Sequence, residues 1–125
     1  MNISIQPLEE AKEFDIGIGC RARAVVWPGM GSIYRTMNYI EINASHKTKE
    51  LYHPDGEAAY FIRQGTGKVV DKESGEEFEI NKGKMILLDA GTRYVLEAGT
   101  GTTLVCIGGP CPPDENLYNS DCESK

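Results

Sequence analysis

The chain has 125 residues, of which 40% are hydrophobic and 26% are charged. These values match ordinary globular proteins, so they exclude the collagen-like, disordered and membrane-spanning classes and predict one domain. The net charge of −6 argues against a nucleic-acid partner, because nucleic-acid binding relies on clustered lysine and arginine. The first residues carry neither the basic nor the apolar part of a signal peptide, so we expect a cytoplasmic protein without a membrane partner.

The first 20 residues are expected to form an N-terminal segment outside the main fold. Within it, Pro7–Phe14 has apolar residues on one side and predicts either a short helix or an edge strand. The four cysteines of the chain are expected to remain reduced thiols, because a domain of this size folds without disulfides.

Residues 21–109 contain short apolar runs separated by glycine, asparagine, aspartate and serine, a pattern typical of antiparallel sandwiches and barrels. The turn Lys72–Glu76 supplies a glycine where a β-hairpin requires positive φ. After residue 109 the chain is expected to be extended and, toward residue 125, disordered. The predicted strands are Ala22–Trp27, Ser32–Asn43, Glu57–Arg63, Gly67–Asp71, Glu76–Ile80, Lys84–Leu88, Tyr94–Glu97 and Thr102–Ile107.

The segment from Gly83 to Tyr94 resembles the second sequence motif of the cupins. In that motif a glycine is followed after five residues by Pro-x-Gly, two further residues and a metal-binding histidine. The spacing is kept, but Asp89 takes the place of the proline and Tyr94 takes the place of the histidine. The resemblance implies an all-β fold of the double-stranded β-helix, or jelly-roll, type over residues 21–109.

The first cupin motif, which ends in HxH followed by a glutamate, is also partly present. His53 and Glu57 match its second histidine and its glutamate, whereas Leu51 replaces its first histidine. Seven residues instead of the usual six separate Glu57 from Gly65, which predicts a β-bulge near Tyr60–Gln64.

Among cupins, the chain is most similar to the small ectoine-synthase branch over about residues 50–118. This similarity rests on three features: the stretch Glu57–Ile62, the stretch Leu104–Cys106 and a proline-containing segment after the last strand that ends at Tyr118. The branch uses an iron site of glutamate, tyrosine and histidine. Glu57 matches its glutamate, while Ile86 and Tyr94 occupy the positions of the other two ligands. The resemblance also implies a homodimer formed by strand exchange or sheet packing.

His53 and Glu57 are the predicted metal ligands, because imidazole and carboxylate together suit a single Fe, Mn, Ni or Zn ion. The alternative is that both are ordinary exposed side chains, without a metal. Tyr94 and Glu57 are the predicted catalytic residues, moving a proton on the substrate. Tyr94 could instead be a phenolate ligand, a hydrogen-bond donor or a packing residue.

Tyr60, Arg35, Arg63 and Cys106 are the predicted substrate-binding residues. An arginine that points into a barrel requires an anion, so Arg35 or Arg63 could hold a substrate carboxylate; otherwise both face outward in ion pairs. Cys106 is expected to lie on the strand face opposite its two neighbours, as a pocket thiol or a small buried side chain. Tyr60 could instead be a core aromatic residue. His46, in a polar loop, is expected to lie outside the site.

Two main hypotheses follow for the function. The first is a metal-dependent cupin enzyme with lyase, cyclase, isomerase or oxygenase activity on a small polar or carboxylated metabolite. The second is a metal-free binding module, a sensor or carrier for a small ligand, favoured by the two missing histidine ligands. A weaker third hypothesis is a structural subunit of a dimer.

Overall fold

The computed structural model describes residues 3–119. Within this range the chain forms ten β-strands and three 3-10 helices of three or four residues each, so the predicted all-β class is confirmed. The strands are β1 (Lys12–Phe14), β2 (Cys20–Val26), β3 (Met37–Ile42), β4 (Leu51–Tyr52), β5 (Glu57–Gln64), β6 (Thr66–Asp71), β7 (Glu77–Asn81), β8 (Met85–Leu88), β9 (Arg93–Ala98) and β10 (Leu104–Cys111). The 3-10 helices are Leu8–Glu10, Pro28–Met30 and Glu115–Tyr118.

The strands form two antiparallel sheets that enclose one apolar core. The larger sheet has the order β1-β2-β3-β10-β5-β8, and the smaller sheet has the order β4-β9-β6-β7. The chain passes repeatedly between the sheets, as a jelly roll does, and this confirms the predicted architecture. Strands β8 and β7 end their sheets, and a cleft of about 400 Å³ lies between these two edges.

Side-chain alternation decides which residues reach the core. On β3, Asn38, Ile40 and Ile42 are buried, whereas the residues between them are more exposed. On β5, Ala58, Tyr60 and Ile62 form the buried set. Because successive side chains of a strand point to opposite faces, each strand contributes one row to the interior and one to the outside.

The predicted β-bulge is present in β5. Val105 lies opposite Gln64, but the next residue, Cys106, lies opposite Ile62, so Arg63 is the extra residue. The bulge follows Tyr60 in the chain, and it therefore does not alter which face Tyr60 occupies.

The N-terminal segment combines both predicted alternatives. A single turn of 3-10 helix at Leu8–Glu10 precedes β1, which pairs with β2 as the edge strand of the larger sheet. The cysteines whose side chains the structure describes, Cys20, Cys106 and Cys111, are free thiols. Cys122 lies outside the described residues.

The end of the chain differs from the prediction of an extended tail starting at residue 110. Strand β10 continues to Cys111, and the side chain of Tyr118 then returns to the core. Its ring packs against Phe14 and Trp27 at centroid distances of 4.8 and 4.9 Å. The burial of a large aromatic ring favours a folded return over an extended tail. The prediction for residues 120–125 lies outside the described part of the chain.

Candidate functional site

Four polar side chains form a continuous hydrogen-bonded chain inside the barrel. The His53 ring, only 3% exposed, places Nε2 at 2.8 Å from the hydroxyl of Tyr94. Its other nitrogen, Nδ1, lies 2.9 Å from Oδ2 of Asp114. The hydroxyl of Tyr94 is also 2.7 Å from that of Tyr60. We call these four residues, Tyr60, Tyr94, His53 and Asp114, the interior chain.

Different elements of the fold position the members of the interior chain. Tyr60 on β5 and Tyr94 on β9 belong to opposite sheets, and both side chains point inward until their hydroxyls meet. His53 follows β4, where its carbonyl accepts a hydrogen bond of 3.0 Å from the N–H of Gly91. Asp114 immediately precedes the last 3-10 helix and caps it. The site therefore depends on the closed barrel and on the returning C-terminal segment.

The hydrogen-bond directions follow from the chemistry of the groups. A carboxylate only accepts, so Nδ1 of His53 donates to Asp114; in the neutral ring Nε2 is then an acceptor. Tyr94 then donates its hydroxyl proton to Nε2, and its oxygen accepts from Tyr60. The donors thus run from Tyr60 through Tyr94 and His53 to Asp114.

Burial keeps the phenols and the nearby thiol protonated. It raises the pKa of Tyr94 well above its ordinary value, and the neighbouring Tyr60 adds to the rise. Burial also raises the pKa of Tyr60, and it raises the pKa of Cys106 to about 12. A low dielectric disfavours the charged forms of all three groups. The interior chain therefore presents neutral hydroxyls in the resting protein.

A second polar cluster adjoins the interior chain at the same end of the barrel. The Tyr118 hydroxyl donates to Oδ1 of Asn38 at 2.9 Å, and the Thr36 hydroxyl donates to the Pro110 carbonyl at 2.6 Å. All three side chains are buried. Sequence reasoning did not select Asp114, Asn38 or Thr36. For Asp114 a signal existed, because aspartate is a preferred residue at helix N-termini.

Glu57 lies apart from His53, so the predicted pair of metal ligands is not brought together. The Glu57 side chain is exposed and alternates with the inward Ala58 and Tyr60. It lines a groove of about 450 Å³ on the outer face of the larger sheet, together with Arg35 and Phe61. Successive side chains of a strand point to opposite faces, and Glu57 lies three positions before Tyr60 on β5. Glu57 therefore faces outward while Tyr60 faces inward.

The structure divides the other predicted residues between the inside and the outside. Tyr60 and Cys106 lie in the interior, beside Tyr94. Arg35 and Arg63 are exposed, so neither points into the barrel. His46 is exposed as well and lies outside the interior chain, as the sequence led us to expect.

The residues of the interior do not fit a metal ion in this arrangement. Both ring nitrogens of His53 are engaged in hydrogen bonds, and the phenol of Tyr94 is held in its neutral form. Among residues 3–119, no three His, Cys, Asp or Glu side chains lie close enough together to hold a metal ion. Metal ligands must be deprotonated and free to coordinate, whereas the Tyr94 phenol is protonated and both nitrogens of His53 are already engaged.

Comparison with solved structures identifies the class of the fold. An RmlC-like cupin from Shewanella frigidimarina has a TM-score of 0.72 at 15% identity, covering 92% of this chain and 96% of that chain. The polyketide cyclase RemF from Streptomyces resistomycificus gives 0.73 at 17% identity, covering 93% and 90%. Ectoine synthase from P. lautus gives 0.69 at 23% identity, covering 90% and 80%. The fold is a cupin barrel.

The sequence comparison narrows the class to a family. The ectoine synthase family matches residues 25–121, which is more than half of the chain, so the chain belongs to this family. The L-ectoine synthase of Oceanobacillus iheyensis is 29% identical over 86 residues, 69% of this chain and 66% of that protein. For that of Mycobacterium sp. strain KMS the identity is 32% over 78 residues, 62% and 60%. The matches thus span less than two thirds of these relatives.

Among the described residues, no helix is long and apolar enough to cross a membrane.

Proposed function

We propose that this cupin is an enzyme that acts on a small polar or carboxylated metabolite by proton transfer, as a lyase, cyclase or isomerase. The observation that carries the proposal is the interior chain, whose links measure 2.7–2.9 Å. Membership of the ectoine synthase family supports an enzymatic role, because its named relatives are synthases. We also propose that the protein is cytoplasmic.

Tyr94 is the catalytic acid in this proposal. It is protonated in the resting protein, and it gives its proton to a substrate oxygen or nitrogen on which negative charge develops. The phenolate that remains accepts the hydrogen bond of Tyr60. His53, oriented by Asp114, can take up or return a proton through Nε2, as a histidine oriented by an aspartate does in hydrolases. The neutral thiol of Cys106 lies beside the reacting groups.

The metal-dependent version of the proposal requires a different arrangement. His53 would have to release Tyr94 or Asp114, and Glu57 would have to turn inward from the outer face of β5. Purification without added metal, followed by elemental analysis, tests this version. About one equivalent of Fe, Mn, Ni or Zn that is lost in Glu57→Gln would support it, whereas metal-free protein with full activity supports the proton-transfer version.

The activity test uses L-ectoine, the metabolite in the relatives' names, as the probe. We expect the protein to open the ring of L-ectoine with uptake of one water molecule, the reverse of a ring-closing reaction, and proton NMR follows this conversion. Loss of a general acid costs about 100-fold or more in rate, so Tyr94→Phe should be slower by at least that factor. Tyr34→Phe, at a 77% exposed tyrosine, is the matched control and should keep the wild-type rate. Equal rates for both variants would contradict the proposal.

The second candidate function, a metal-free binding module, is favoured by the same satisfied hydrogen bonds. A site whose polar groups are fully paired at rest can hold a ligand without any chemistry. Saturable binding of L-ectoine with no conversion, and with affinity unchanged in Glu57→Gln, would select this candidate over the enzyme.

We also propose that the chain forms a homodimer through the outer face of the larger sheet. Four partly exposed apolar side chains lie on this face: Met37, Phe61, Met85 and Leu87. Arg35 and Glu57 adjoin them and form no ion pair with any described residue. A two-fold axis would bring the arginine of one copy toward the glutamate of the other, so the face complements a second copy of itself.

A further inference from the structure

Strand β8 is a sheet edge that has none of the protective features of the other edges. The two sheets end in β1, β8, β4 and β7. Strand β1 carries the charges of Lys12 and Glu13, β7 carries those of Glu77 and Glu79, and β4 is only two residues long. Strand β8, in contrast, consists of four apolar residues, Met85–Leu88. An apolar edge strand without charges or proline favours pairing with a further strand.

The backbone of β8 shows which of its groups are available at the free edge. The carbonyl of Lys84 accepts a hydrogen bond of 2.9 Å from the N–H of Ile62 on β5. Successive residues of an antiparallel strand bond alternately to its two sides, so the even-numbered residues of β8 bond toward β5. The N–H and C=O groups of Met85 and Leu87 therefore point to the free edge. Among residues 3–119, no strand pairs with this side of β8.

The cleft beside this edge has an apolar lining for the side chains of one added strand. Its volume is about 400 Å³, and residues of β7 line its other side. The buried side chains in the lining are those of Val69, Ile80, Ile86 and Leu88, and the half-exposed ring of Phe78 lies beside them. A single extended strand fits between β7 and β8, whereas β7 would block the edge of a second barrel. Such a strand turns every second side chain toward the apolar lining.

Opposite charges stand at the two ends of β8. Lys84 precedes the strand and Asp89 follows it, and both side chains line the cleft. Neither forms an ion pair with any described residue. Five strand steps separate them, which is about 17 Å at about 3.4 Å per residue. An extended tetrapeptide is about 14 Å long. If it runs antiparallel to β8, its ammonium group lies toward Asp89 and its carboxylate lies toward Lys84.

We propose that the cleft between β7 and β8 binds a short free peptide, a tetrapeptide, as an added strand antiparallel to β8. The N-terminus of the peptide pairs with Asp89 and its C-terminus with Lys84, while its backbone bonds to Met85 and Leu87. Its first and third side chains are apolar and face the lining of the cleft, and its second and fourth face outward. The site goes beyond the proposed enzymatic function, because none of its residues belongs to the interior chain.

Titration of the full-length, ¹⁵N-labelled protein with the tetrapeptide Ile-Thr-Ile-Thr tests the proposal. We expect saturable shifts of the backbone amides of Met85 and Leu87. The reversed pattern Thr-Ile-Thr-Ile should bind about ten-fold more weakly, because its apolar side chains face away from the cleft lining. N-methylation of the second peptide residue, opposite Leu87, should also weaken binding about ten-fold, since it removes a backbone hydrogen bond. N-methylation of the third residue, whose N–H points away from β8, is the matched control and should leave the affinity unchanged.

The charged ends are tested by combining changes in the peptide with changes in the protein. N-acetylation of the peptide removes its ammonium charge, and it should weaken binding about three-fold to the wild type but not to Asp89→Asn. C-terminal amidation should weaken binding about three-fold to the wild type but not to Lys84→Gln. These effects are small because exposed ion pairs are screened by water. Lys82→Gln, at an exposed lysine two positions before Lys84, is the control and should keep both effects.

Four results would overturn the proposal. The first is that the amides of Met85 and Leu87 do not move. The second is equal affinity for the peptide blocked at both ends, which would assign the cleft to an internal segment of another protein. The third is an acetylation effect that is lost in Lys84→Gln instead of Asp89→Asn, which would mean that the peptide runs parallel to β8. The fourth is a shift of the same amides with protein concentration alone, which would assign the edge to a second copy of this chain.

Discussion

The hydrogen bonds of His53 determine what its ring can do. One nitrogen donates to Asp114 and the other accepts from Tyr94, both at under 3 Å. A metal bound at either nitrogen would have to break one of these buried bonds and leave its partner unsatisfied, at a cost of about 1–3 kcal/mol. At the scale of single residues, the arrangement therefore favours proton transfer over metal binding.

The thiol of Cys106 should make the free energy of unfolding depend on pH. Burial raises the pKa of its thiol from 9.0 to about 12. Below pH 9 the thiol is protonated in both the folded and the unfolded chain, and its contribution to stability is fully present. Above pH 9 the unfolded chain loses the proton first, so the free energy of unfolding should fall by about 1.4 kcal/mol per pH unit until the folded thiol also ionises.

Urea unfolding of the wild type and of Cys106→Ala between pH 9 and 11 measures this dependence. The variant should show a shallower fall with pH, although it is less stable overall because of the cavity. Cys111→Ala, at an exposed thiol, is the control for cysteine removal and should follow the wild-type slope. Parallel slopes for Cys106→Ala and the wild type would contradict the assignment of a protonated interior thiol.

The close pairing of β6 with β9 leaves no space for a side chain at Gly67. A Cβ at this glycine would overlap the carbonyl oxygen of Glu97, a backbone atom that cannot move without opening the ladder. We expect Gly67→Ala to lower the free energy of unfolding by about 2 kcal/mol or more, in the range of overpacked sites. Gly101→Ala, where a Cβ meets nothing within 4 Å, is the matched control. Equal stability of the two variants in urea would show that the two strands are not so closely paired.

Most strands could be predicted from the sequence because alternation and turn chemistry are local signals. The hairpin between β6 and β7 has Gly75 at φ +81, as its turn requires. The bulge at Arg63 followed from one extra residue between two motif positions. Strands β1 and β4 were harder to define, because segments of three and two residues carry too little pattern of their own.

The contribution of the C-terminal segment to the site could not be predicted, because residues distant in sequence form these contacts. Asp114 meets His53 across 61 positions, and Tyr118 meets Asn38 across 80. Motif spacing selected His53 and Tyr94 correctly as interior residues, but it also selected Glu57, whose side chain lies on the outer face of β5. A motif match identifies a residue by its position in the sequence, but it does not determine which face of the strand the side chain occupies. That face depends on side-chain alternation in the folded barrel.

The proposed homodimer is tested at the scale of the whole molecule by light scattering after size exclusion. We expect the wild type to have twice the chain mass of 13.8 kDa. Phe61→Lys places a charge in the apolar outer face of the larger sheet and should shift the protein to the monomer. Phe78→Lys, at a 50% exposed phenylalanine of the smaller sheet, is the control and should remain dimeric. A monomeric wild type, or dissociation by both variants, would contradict the proposed interface.

The most direct test of the interior chain is the tautomer of His53, read from the ¹⁵N shifts of its ring at neutral pH. His46 is the only other histidine, so a His46→Gln variant leaves a single ring to assign. We predict a neutral ring protonated at Nδ1, with Nε2 in contact with the Tyr94 hydroxyl, and the same spectrum after treatment with a chelator. A ring protonated at Nε2, or shifts that change when metal is removed, would contradict the account.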